Sequence, residues 1–98
     1  MTNLRNSARF MDCALGIHPH CNMNHETTVL AHINTERKGM GIKSPDYFAV
    51  FACSDCHDII DKRRYVKDVS EIEIQQCIIR GLYRTWEYWI EKGYVSHI

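Results

Sequence analysis

The residues able to do chemistry gather in one stretch, Phe51-Ala-Cys-Ser-Asp-Cys-His-Asp-Ile-Ile-Asp61. Cys53 and Cys56 stand two residues apart, His57 follows at once, and Asp58 and Asp61 come on the next helical turn. A C-x-x-C turn offers two thiolates with backbone amides directed at them, which suits a tetrahedral zinc ion. Upstream, Cys13 and Cys21 enclose seven residues that include Gly16 and Pro19, so the chain can turn back on itself there. The two pairs predict a structural zinc held by Cys13, Cys21, Cys53 and Cys56. Plain buried cysteines are the alternative for the first pair, and His18 or His20 is a possible substitute ligand. The fifth cysteine, Cys77, falls alone in a helical segment and reads as a packed thiol.

The flanking segments must position these groups. Thr27 to Ile33 favours a strand, with Thr28, Leu30 and His32 on one face and Val29, Ala31 and Ile33 on the other. Asn34 to Pro45 reads as a loop, basic at Arg37, Lys38 and Lys43, and long enough to suggest a functional role. Tyr47 to Ala52 forms the second strand. Ser54 is placed to cap a helix that runs to about Arg64, which puts His57 and Asp61 on one face. Ser70-Glu-Ile-Glu73 is a capping box, flanked by Val69 and Ile74. It opens a long helix over about 70–92, with Ile74, Ile78, Leu82, Trp86 and Trp89 facing the core and Gly93 ending it. The aromatic cluster Trp86, Tyr88 and Trp89 reads as packing, with base stacking as the alternative. Residues 1–12 read as a short helix or ordered arm, or else as a frayed terminus. The chain is therefore expected to be one α+β domain over 1–98, with a ββα core at about 27–64.

His32 at one strand's end and His57 on the following helix suggest phosphodiester hydrolysis. That reaction needs a base to activate water and a divalent cation to polarise the phosphate. A neutral imidazole is a suitable base near pH 7.

The sequence resembles the His-Me finger, or HNH, endonuclease superfamily. Within it, the chain is similar to the YbcO-like family of small predicted nucleases of lambdoid phages and prophages. The matching residues are Arg5 to Ser7 with Arg9, Asp12-Cys13, Cys21-Asn22, Glu26 to Ile33, Gly39 to Gly41, Pro45-Asp46 and Ala52 to Asp61. The resemblance implies a ββα-metal fold, with His32 as general base and His57 helping to hold a catalytic Mg2+ or other divalent ion. It also implies the four zinc cysteines. Asp61 is the preferred partner of His57 because i, i+4 spacing points both side chains the same way; Asp46 and Asp58 are further candidate oxygen ligands.

The chain has 12 basic and 12 acidic residues, so net charge points to no polyanionic partner. The distribution tilts slightly: 1–67 carries 9 basic and 7 acidic groups, and 68–98 carries 3 and 5. DNA is the expected partner, with Arg37, Lys38, Lys43, Arg63 and Arg64 on phosphates. No membrane span or signal-peptide core is visible, and an odd cysteine count argues against a disulfide framework. These features predict a cytoplasmic protein, and the resemblance implies that the cytoplasm is that of a bacterial host. Two rival readings keep the same fold. One is a non-catalytic zinc module for nucleic acid or protein, favoured by Ala31 before His32 and by Tyr47 and Phe48 before the knuckle. The other is an assembly protein built on the aromatic helix.

Overall fold

The computed structural model describes residues 4–33 and 46–95. In chain order these form a helix α1 (Leu4–Ser7), a 3-10 turn (His25–Thr27), strands β1 (Val29–His32) and β2 (Ala49–Ala52), and helices α2 (Ser54–Ile60) and α3 (Glu71–Glu91). The α+β class and the long C-terminal helix are as expected. The loop carrying Arg37, Lys38 and Lys43 lies outside the described residues.

β1 and β2 pair antiparallel, with Leu30 opposite Phe51 and Ala31 opposite Val50. Alternation sends these pairs to opposite faces, and both faces are covered. Ala31, Val50 and Ala52 pack with Leu15, Ile17, Cys53, Cys56 and the first half of α3. Leu30, Ala49 and Phe51 pack with Ala8, Ala14 and Trp89. So β2 is buried at every position, and successive β1 residues Leu30 and Ala31 are both buried. The apolar run that forms β2 is thus a strand covered on both faces.

Several boundaries are shorter than the sequence suggests. Thr27 belongs to the 3-10 turn, because Asn24 caps that turn by accepting from the Glu26 amide at 3.0 Å. The α2 cap is Cys53 rather than Ser54: its sulfur accepts from the Cys56 amide at 3.4 Å. Ser54 instead sits in the first turn, where its hydroxyl accepts from Asn22 at 3.1 Å. α2 ends before Arg64, since Lys62 takes φ 63° and leaves helical geometry.

α3 follows its signals closely. Ser70 Oγ accepts from the Glu73 amide at 3.1 Å. At the other end Gly93 has φ 76°, and the Gly93 and Tyr94 amides bond Ile90 and Trp89 carbonyls at 3.0 and 2.8 Å, a Schellman closure. Its buried face is Ile74, Ile78, Gly81, Thr85 and Trp89, with Leu82 and Trp86 only half-buried. Gly81 marks the closest approach to the sheet: a Cβ there would lie 3.1 Å from Leu15 and 3.4 Å from Val50. Trp89 makes edge contacts with Phe51 and Trp86, and its Nε1 donates to Ser7 Oγ at 2.8 Å, which docks α1. The aromatic cluster is packing, as expected, and the N-terminal segment is an attached helix.

The free edge of β2 is closed by side chain and loop. Fully buried Thr85 accepts from the Phe51 amide at 3.1 Å, and the Phe51 carbonyl accepts from the Ala14 amide at 2.8 Å. Thr85→Val keeps the shape but leaves that buried amide without an acceptor. The expected cost is about 1–3 kcal/mol, read as a lower denaturation midpoint with unchanged slope.

Candidate metal centre and flanking histidines

The loop after Cys13 is pulled inward by Leu15 and Ile17, which are 0% and 1% exposed. Gly16 between them adopts φ 56°, a left-handed geometry that favours glycine. The His20 and Cys21 amides both bond the Ile17 carbonyl at 2.8 Å, which closes the turn and returns Cys21 toward Cys13. From the other side, β2 delivers Cys53 and the first turn of α2 delivers Cys56. Asn22 and Thr27 clasp the start of α2 through Ser54, at 3.1 Å to its hydroxyl and 3.2 Å from its amide.

The result is a cluster of four sulfurs, from Cys13, Cys21, Cys53 and Cys56, all within 4.8 Å of one another. Cys21 and Cys53 sulfurs are 3.9 Å apart. That is far beyond a disulfide, and all five cysteines are free thiols. Four sulfurs on a zinc ion at about 2.3 Å would stand roughly 3.8 Å apart, so the donor set fits the metal. Electrostatics agree. The hydrogen bond from Cys56 pulls the Cys13 thiol down to about 4, against the opposing effect of burial. The same bond and then burial push Cys56 up, and burial pushes Cys21 up to about 11. Without a cation the cluster tolerates one thiolate readily and resists the next; a divalent ion removes that conflict. Cys77 stays apart on α3, half-buried near Arg80. His18 and His20 are not among the clustered donors, and His20 instead meets Asp68 at 2.8 Å.

His32 closes β1 with its side chain about one-fifth exposed. Its Nε2 lies 2.7 Å from Asp46 Oδ1, and Arg5 Nε of α1 donates to the same oxygen at 3.3 Å. The bond to His32 first, and then Arg5, hold the Asp46 carboxyl below the usual carboxylate range. A depressed carboxyl contributes stability above its ordinary range, and loses it as pH falls through the lowered value. Fourteen residues separate His32 from Asp46, so no periodicity announced this pair.

His57 and Asp61 do share a face of α2: Nε2 and Oδ2 are 3.6 Å apart. Arg63 sits on the same Asp61 oxygen at 3.3 Å, with Asp58 at 3.9 Å. Among the described residues no third His, Cys, Asp or Glu joins this pair, and the four cysteines form the one clustered donor set. Arg64 reaches Asp55 at 3.2 Å and His20 Nδ1 at 3.3 Å. Both α2-exit arginines therefore rest on internal partners rather than standing open to a ligand.

Comparison with known proteins places these features. The family described as "Putative nuclease YbcO" matches residues 2–94. "Putative nuclease YbcO" of Escherichia coli (strain K12) and "Putative nuclease ybcO" of Enterobacteria phage 82 are each 42% identical over 97 residues, covering 98% of this chain and 99% of theirs. A solved structure described as "Structure of a putative bacteriophage protein from Escherichia coli str. K-12 substr. MG1655" matches with a TM-score of 0.75 and 40% identity, covering 93% of this chain and all of that one. No helix among the described residues is long and apolar enough to cross a membrane.

Metal removal is the direct check on the sulfur cluster. Elemental analysis should give one zinc per chain, and a strong chelator should abolish the cooperative melt. Zinc loading should fall as the pH is lowered, because protons compete for the thiolates. Cys53→Ser should behave like the chelated protein, whereas Cys77→Ser should keep both metal and melt.

Proposed function

We propose that this chain, which belongs to the YbcO family, is a nuclease of the HNH type that hydrolyses phosphodiester bonds in DNA. The observation that carries the reading is the His32–Asp46 contact at the end of β1. A carboxylate acceptor on Nε2 fixes the tautomer with the proton there and leaves the Nδ1 lone pair as the basic site. His32 Nδ1 then takes a proton from the attacking water, and Asp46 stabilises the imidazolium that forms. This is the logic by which a buried acid orients a catalytic histidine in acyl transfer. Arg5, from the docked α1, holds Asp46 in its acceptor state.

His57 and Asp61 are the residues that would hold a divalent ion, whose contribution would be to polarise the phosphate and stabilise the leaving oxygen. Two protein ligands suit magnesium, which keeps several waters and takes substrate phosphate as a further ligand. The guanidinium of Arg63 on Asp61 marks that carboxylate as a cation-binding position. On DNA, Arg63 and Arg64 would exchange their internal carboxylates for phosphates, joined by Arg37, Lys38 and Lys43.

A second reading, a zinc module that binds nucleic acid or protein without cutting it, is favoured by the lack of a third ligand beside His57 and Asp61 among the described residues. Nicking of supercoiled plasmid in magnesium, manganese or nickel separates the two. The nuclease should convert plasmid to open circles, and His32→Ala should slow this by about 100-fold or more. Asp46→Asn should lower kcat with little change in KM, at unchanged zinc content. Cleavage that persists in His32→Ala removes that residue as the base. Retardation of the plasmid without cutting, in every metal, establishes the binding module.

A further inference from the structure

We propose that the outer face of α3 is the seam of a weak, two-fold antiparallel homodimer. Ile72, Gln76, Ile79, Tyr83, Trp86 and Ile90 follow one another at intervals of four, three, four, three and four residues. That is the spacing of a coiled-coil seam. It shares Trp86 with the stripe expected to face the core; Trp86 and Ile90 are half-buried, while Ile72, Ile79 and Tyr83 are 71%, 67% and 68% exposed. Toward the C-terminal end, Tyr83, Trp86 and Ile90 line an open groove of about 370 Å³, rimmed by Glu87 and Glu91. Trp86 is held in place there, since its Nε1 donates to the Tyr47 carbonyl at 2.9 Å.

Charge identifies the occupant. The acidic rim disfavours a nucleic-acid backbone. Along one edge of the stripe, Glu73, Arg80 and Glu87 recur every seven residues. An antiparallel copy that sets Ile79 against Ile90 and Tyr83 against Trp86 places Arg80 opposite Glu87 of the partner subunit, and the two-fold axis repeats the pair. The longer register, with Ile72 against Ile90, opposes Arg80 to its own copy and Glu73 to Glu87. It also buries the Gln76 amide against Trp86. Like charges and an unpaired amide both count against it, so the shorter register is selected. Arg80 is ready for the role: Nη2 is anchored on the Leu15 carbonyl at 2.6 Å, which orients the remaining donors of the fork. The overlap, from Ile79 to Ile90, spans roughly 18 Å of helix. That is small beside the about 800 Å² per partner of a standard interface, so association is weak.

Sedimentation of the zinc-loaded full chain tests this. The mass should shift from monomer to dimer over roughly ten to several hundred micromolar. Ile79→Lys and Tyr83→Lys, both on exposed side chains, should keep the melting temperature and abolish the shift. Register is read with Arg80→Lys, which retains the positive charge and supplies an amine for coupling. Zero-length carbodiimide treatment of that variant, in a mixture of 14N- and 15N-labelled chains, should give mixed-isotope links between the substituted position and Glu87. A wild-type chain that stays monomeric at every concentration overturns the proposal, as does a dimer unmoved by both exposed-face variants. Mixed-isotope links at other pairs, with none between the substituted position and Glu87, overturn the antiparallel register. Loss of oligonucleotide binding in Tyr83→Lys, with a monomeric wild type, reassigns the face to nucleic acid. None of these outcomes depends on whether the chain cuts DNA.

Discussion

Everything in this small protein hangs on four sulfurs meeting at the point where β2 becomes α2. The described sheet has two strands and the knuckle helix seven residues. A two-stranded hairpin and a helix of two turns are each marginal alone in water. The sulfur cluster ties the Cys13–Cys21 loop to both. Leu15 and Ile17 are thereby pressed onto the sheet face that α3 also covers. A metal in that cluster closes the chain across distant segments, which is how a domain of this size acquires a specific core.

α3 plays the complementary part. It lies so close to β2 that a Cβ at Gly81 would crowd Leu15 and Val50, and Thr85 completes the hydrogen bonding of the strand edge. Its aromatic end then reaches α1 through Trp89 and Ser7. α1 in turn carries Arg5, which holds Asp46, which holds His32. The orientation of one imidazole thus passes through a helix packed at the far end of the chain. His57 and Asp61 share a short helix whose start is fixed by the clustered cysteines Cys53 and Cys56. The sulfur cluster and the His57–Asp61 pair share an element, so the rigidity of the first limits the motion of the second.

The side chains that pair across the surface show how electrostatics differ from what composition suggests. Net charge is zero, yet basic groups are not idle. Arg63 lies on Asp61 and Asp58, Arg64 on Asp55 and His20, and Lys62 on Glu71 at 2.9 Å. Exposed pairs of this sort exchange easily, because each contributes little once solvated. They keep the α2 exit compact without committing it against an anionic ligand.

By itself the sequence determined what depends on local spacing. The C-x-x-C turn, the alternating hairpin faces, the Ser70 cap, the Gly93 closure and the i, i+4 approach of His57 to Asp61 are all short-range, and each is present. The pairing of the two cysteine motifs was also legible, since few chemistries use four thiols in a reduced chain. Tertiary structure decided what depends on distant partners. Cys53 caps α2 because its sulfur is already held at the cluster, so Ser54 is free to bond Asn22. β2 is buried on both faces because the loop after Cys13 and the long helix each send side chains to both sides: Leu15, Ile17, Ile74 and Ile78 to one, Ala14 and Trp89 to the other. Asp46 meets His32 from fourteen residues away, and Arg5 meets Asp46 from forty-one. No periodicity encodes such contacts, because they arise only when packing brings separate segments to one place.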